Sequence, residues 1–153
     1  MEPTEQTGRI TELDEATCRQ LLASHHFGRI AVNNDPSPDV LPVNYTLHND
    51  AIWFHTGEGT KQTAASRALP ASFQIDGTDP NRHSGWSVLV RGRLALADRY
   101  EPTDLPDPWP GGDRGYIVAL SIDALTGRRI PPQTGWVLPT HVWKDRDASD
   151  LMG

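Results

Sequence analysis

The chain has 153 residues, 14 Lys and Arg against 20 Asp and Glu, a net charge of −6 and one cysteine, Cys18. That length predicts one domain able to bury its own core. The acidic balance excludes a broad cationic face, so no nucleic-acid partner is expected. The single cysteine excludes an internal disulfide and a cysteine-rich zinc site, and it fits a reducing compartment.

Residues 1–10 are polar and expected to be loose. They show neither the basic start nor the apolar run of a secretory leader. No stretch approaches the roughly 20 apolar residues of a membrane helix, so a cytoplasmic protein without a membrane partner is expected. The first element is a helix. Thr11-Glu12-Leu13-Asp14 resembles a capping box, Leu13, Thr17 and Leu21 share a face at spacing four, and the pattern stops near Ser24. Strands follow over residues 28–33, 40–47 and 51–56, separated by the turn cluster from Asn34 to Pro38 and by Asn49-Asp50. An Ala-rich helix over 62–68 should end at Pro70. A fourth strand covers 72–76, a polar loop 77–85, a long fifth strand 86–97 and a sixth 116–122. Residues 98–115, rich in proline and glycine, read as a surface loop or lid, with Trp109 as a lid residue. Residues 133–153 read as a tail, partly disordered, that carries Trp136 and Trp143. Thirteen glycines and thirteen prolines spread along the chain punctuate these runs. The sum is a mainly β domain over residues 11–132. It is a six-stranded antiparallel barrel, closed or nearly so, with a leading helix and a short helix between strands three and four.

The strongest local signal is a strand, then Thr56-Gly57-Glu58-Gly59-Thr60-Lys61, then a helix. Glycines allow a sharp bend with backbone N–H groups near a ligand, two threonines offer hydroxyls and Lys61 a cation, a set suited to a phosphate monoester. The Walker A spacing is absent. The plain alternative is a β-to-α turn with a solvated lysine. Trp53 and Trp86 read as core or as cofactor wall, and Tyr45 as packing. Arg91 and Arg93 share one strand face. His25 and His26 read as partners of a helix C-terminus. His48, His55, His83 and His141 show no ligand spacing, so no metal is expected.

Five segments occur in order: Gly28-Arg29-Ile30-Ala31, Leu41-Pro42-Val43-Asn44-Tyr45, Thr56 to Lys61, Gly85 to Gly92, and Gly127-Arg128-Arg129-Ile130. With them the chain resembles the pyridoxamine 5'-phosphate oxidase-like family of FMN-binding split barrels, in particular its short actinobacterial-type members. The resemblance implies a homodimer with two FMN sites at the interface, each built from both subunits, and oxidoreduction of a small substrate. It places phosphate on Thr56, Thr60 and Lys61, the isoalloxazine along Asn44, a flavin contact at Ser87, Trp86 near the cleft and a cofactor contact at Arg128 or Arg129. Many relatives carry arginine where this chain has Gly59. The C-terminal Trp-and-Arg element of true pyridoxamine phosphate oxidases is not evident, which argues against vitamin B6 oxidation. Two alternatives remain open at this point. One is a deazaflavin coenzyme with a diester phosphate, served by Arg91, Arg93 and Arg128. The other is a non-catalytic flavin- or haem-binding protein, with His55 or His83 as haem candidates.

Overall fold

The computed structural model describes residues 9–81, 83–97 and 115–131. In chain order the elements are β1 (Thr11–Leu13), α1 (Glu15–Ser24), β2 (Phe27–Val32), β3 (Asp39–Asn44), β4 (Thr46–His48), β5 (Ala51–Thr56), α2 (Thr60–Ser66), β6 (Pro70–Asp79), β7 (Ser84–Ala97), β8 (Tyr116–Ser121) and β9 (Ala124–Ile130). Every pairing is antiparallel. The hydrogen-bonded path runs β3-β2-β6-β7-β8-β5-β4, with β9 on β7 and β1 on β9. Its two ends, β3 and β4, are consecutive in the chain, so the sheet curls into a barrel that stays split between β3 and β5. No helix of the described residues is long and apolar enough to cross a membrane. Of the expected loop over 98–115 with Trp109, all but Gly115 lies outside the described residues, as do residues 1–8 and the tail with Trp136 and Trp143.

The architecture is the expected mainly β split barrel, but six strands become nine strand segments among the described residues, seven of them on the path. The expected second strand breaks at Tyr45 because the chain changes partner there. Residues before it pair with β2 and residues after it with β5. Tyr45 makes the corner. Its N–H donates to His26 O at 2.8 Å, its ring meets Phe73 edge-on at 4.8 Å, and its hydroxyl donates to Leu22 O at 2.7 Å. That last bond satisfies a carbonyl that the end of α1 leaves open. Burial pushes the Tyr45 phenol well above its ordinary pKa.

β8 and β9 lie along one side of β7, but the register slips by one residue between Leu94↔Leu120 and Arg91↔Ala124. The extra residue is a bulge at Ile122-Asp123. Asp123 N donates to Arg91 O at 2.9 Å, Arg93 N donates to Ser121 Oγ at 3.0 Å, and any side chain on Gly92 would run into the Ser121 carbonyl.

The polar loop expected over 77–85 is instead the end of the β6–β7 ladder. Gly77 permits this, since the Trp86 indole lies over it and a Cβ there would sit 2.5 Å from Nε1. The expected capping box is also corrected. Thr11 belongs to β1, and Asp14 caps α1 by accepting from Thr17 N at 2.8 Å. The buried stripe of α1 is Cys18 and Leu22, which face β9 and the sheet interior. α2 starts two residues early and ends at Ser66, with Ala68 left-handed at φ 51, so Pro70 opens β6 rather than stopping the helix. Phe54, Phe73, Ile30, Ile75, Val88 and Leu120 are fully buried between the curled faces. Each contributes roughly 1.5–3 kcal/mol relative to exposure.

Candidate functional site

β5 ends at the split, and the chain bends through Gly57-Glu58-Gly59 into α2. Gly59 has φ 142, a conformation that side chains resist, and nothing lies within 4 Å of where its Cβ would be. The bend is therefore open to a ligand. A groove of 460 Å³ lies here, lined by the bend together with Thr56, Thr60, Lys61 and, across the split, Asp39 and Leu41 of β3. Thr56 is buried and Lys61 half-buried. Among the described residues no carboxylate forms an ion pair with Lys61, and desolvation lowers its pKa. Asp39 Oδ2 accepts from Thr60 Oγ1 at 3.0 Å and from Asn34 Nδ2 at 2.9 Å. The carboxylate thus ties the β2–β3 connection to the first turn of α2. That helix has seven residues and no side-chain cap, so Lys61 supplies most of the attraction for an anion.

A second groove, of 610 Å³, runs over the outer face of β7, β9 and β1. Ser87 pairs across the ladder with Arg128, which pairs in turn with Glu12; Arg91 and Gln74 lie further along. The guanidinium groups of Arg91 and Arg128 are exposed, and Glu12 is the one carboxylate on the lining. The floor is Gly127, packed on Cys18 of α1.

The expected site residues therefore fall into two sets. Thr56, Thr60 and Lys61 share the bend groove, while Ser87 and Arg128 share the strand groove. Asn44 closes β3 and pairs with Phe27 on the outer face, lining neither groove. Trp86 lines neither one. It packs on the core and meets His25 edge-on at 5.0 Å. His25 Nδ1 in turn lies 2.7 Å from Leu21 O at the end of α1, the helix-terminus role expected of it. Trp53 is core, its indole N–H donating to His48 O at 3.0 Å. Arg93 turns away to donate to Ala68 O at 3.1 Å. Among the described residues no three His, Cys, Asp or Glu side chains gather as a metal site. Asp39, Gln74 and Glu12 were not among the expected residues. Asp39 reaches Thr60 across 21 positions of sequence, and no local pattern announces such a contact.

The profile of the pyridoxamine 5'-phosphate oxidase family matches residues 14–129, which includes the bend groove and all of the strand groove except Glu12 and Leu13. The chain belongs to this family. The uncharacterized protein Rv0080 of Mycobacterium tuberculosis is 30% identical to this chain over 132 residues that cover 79% of this chain and 86% of the relative. Among solved structures, a FAD-binding protein of Mycobacterium smegmatis is 31% identical, with a TM-score of 0.61 over 79% of this chain and 98% of its own. A FAD-binding protein of Mesorhizobium loti reaches the same TM-score at 20% identity, over 79% of this chain and 96% of its own, and shares the fold.

Proposed function

We propose that this family member is a flavin-dependent oxidoreductase whose cofactor lies between two copies of the chain. The observation that carries the reading is the division of the site. A flavin nucleotide needs an anion contact for its tail and a hydrogen-bonding floor for its ring. One chain presents these in two separate grooves, at the bend and over β7 and β9. A two-fold axis brings two different patches together twice, so each site would take the bend of one protomer and the strand face of the other. The outer face offers apolar surface for that contact, with Val40 61% and Phe27 39% exposed. The M. smegmatis protein named for FAD supports a flavin, and the sequence resemblance adds FMN as a second candidate form.

Lys61 and the backbone N–H of Thr60 would hold the phosphate end, the Thr60 hydroxyl being donated to Asp39. Ser87 and the Arg128 guanidinium would face polar edges of the ring, and Leu41 and Leu89 would exclude water beside it. The ring itself, when bound, carries hydride and electron transfer, which needs little acid–base help from the protein.

The test is a titration of purified protein with FMN and with FAD, followed by visible absorbance on the size-exclusion peak. One flavin per protomer in a dimer, reduced on addition of a reduced nicotinamide, is the expected result. A monomer, or a peak without flavin at near-equimolar cofactor, overturns the reading.

A further inference from the structure

The bend groove is not neutral toward the phosphate it would take. Its lining carries one ammonium, Lys61, against two carboxylates, Asp39 and Glu58. The Thr60 hydroxyl, which a phosphate would be expected to receive, is donated to Asp39 at 3.0 Å. Gly59 stands where the family resemblance places an arginine, and its surroundings are open. Partial burial weakens the protonated form of Lys61 as well.

Two kinds of flavin phosphate differ in how they meet this charge. A terminal monoester carries about −1.5 to −2 at pH 7, with its second ionisation near pH 6. A phosphodiester carries one negative charge per phosphorus at any pH of interest. Coulomb repulsion scales with the product of charges, so Asp39 disfavours the monoester about twice as strongly. We propose that Asp39 sets the charge of the accepted phosphate, so that this chain takes a flavin linked through a phosphodiester in preference to one ending in a monoester. The proposal rests on the flavin reading and deepens it.

Asp39→Asn isolates the charge. An amide oxygen still accepts from Thr60 and Asn34, while Glu58 and Lys61, the other charged groups on the lining, remain. The experiment titrates the wild-type protein and Asp39→Asn with riboflavin, FMN and the methyl phosphodiester of FMN, at pH 5.5 and 7.5, following ring fluorescence. At pH 7.5 the wild-type protein should bind the methyl diester about tenfold more tightly than FMN. The gap should narrow at pH 5.5 as FMN takes up a proton. In the variant the gap should be absent at both pH values, with riboflavin affinity unchanged. Equal affinity of the wild-type protein for FMN and its methyl ester at pH 7.5 overturns the proposal, whether or not the variant folds. So does a variant that changes all three ligands alike, which would make Asp39 a structural tie only. If the wild-type protein binds none of the three, the flavin reading itself fails and this selection falls with it.

Discussion

The two grooves are built on opposite physical plans. The bend groove lies at the split of the barrel, where β3 and β5 share no ladder, and a hydrogen-bonded carboxylate ties its walls together. The strand groove lies on a continuous ladder of β1, β9, β7 and β6 whose other face is core, with Val88 and Val90 fully buried behind it. One groove is net acidic and the other net basic. A site on the ladder is held rigid by the packing beneath it. A site at the opening is tuned by charges that cost the fold little. Substitutions should therefore separate the two, with core changes under the ladder felt as stability and charge changes at the bend felt as affinity.

The largest effect should come from Phe73→Ala, beneath the β2–β6 part of the ladder. Phe73 is fully buried, packs on Tyr45 and fills the space over Gly28. Urea denaturation should show a loss of about 3–5 kcal/mol; a loss below 1 kcal/mol would mean that the ladder does not depend on its core. Next is Gly127→Ala, in the floor of the strand groove. The added methyl would sit 2.5 Å from Cys18 Sγ and 3.1 Å from Leu13 Cβ. Overpacking should cost about 1–3 kcal/mol, and combining it with Cys18→Ala should recover part of the loss. Simple additivity of the two in a double-mutant cycle would locate the strain elsewhere.

At the bend, Lys61→Ala should leave the urea midpoint nearly unchanged and weaken flavin nucleotide binding about tenfold, while riboflavin is little affected. Because burial lowers the Lys61 pKa, nucleotide affinity of the wild-type protein should also begin to fall at a lower pH than an exposed lysine dictates. The smallest effect belongs to neither groove. Its bonds to Thr17 hold the Asp14 carboxylate below its ordinary 3.8. The folded pKa is depressed, so its stabilisation is present above 3.8 and lost as pH falls through the folded value. Asp14→Asn keeps a capping side chain and should flatten that acid-side dependence in urea midpoints.

Much of the fold was legible because local chemistry and tertiary structure agreed. Strand β5 follows its apolar run, and Asn49 and Asp50 take φ 49 and 57, as a tight hairpin turn requires. The failures share one cause. β9 has a single buried residue, Gly127, so its periodicity is silent, and it is a strand because β7 offers it a full ladder. β1 is only three residues long, and among the described residues its one strand partner is β9. Gly77 to Asp79 carry turn chemistry yet extend β6, because the Trp86 ring occupies the side-chain space that Gly77 leaves free. At the site, glycine spacing and Lys61 could be read from neighbours in sequence. Asp39 beside Thr60, and the distance of Ser87 from the bend, could not.

By itself the sequence determined what short-range physics decides: where apolar residues alternate, where glycine and asparagine permit a bend, and which segments carry cations and hydroxyls. Tertiary structure alone decided where strands change partners, at Tyr45 and at the bulge beside Gly92, because a partner's unpaired backbone is invisible from the strand that will join it. It also decided that the cations and the carboxylates sort into two grooves of opposite sign, since a groove's charge belongs to segments that meet only once the sheet has curled.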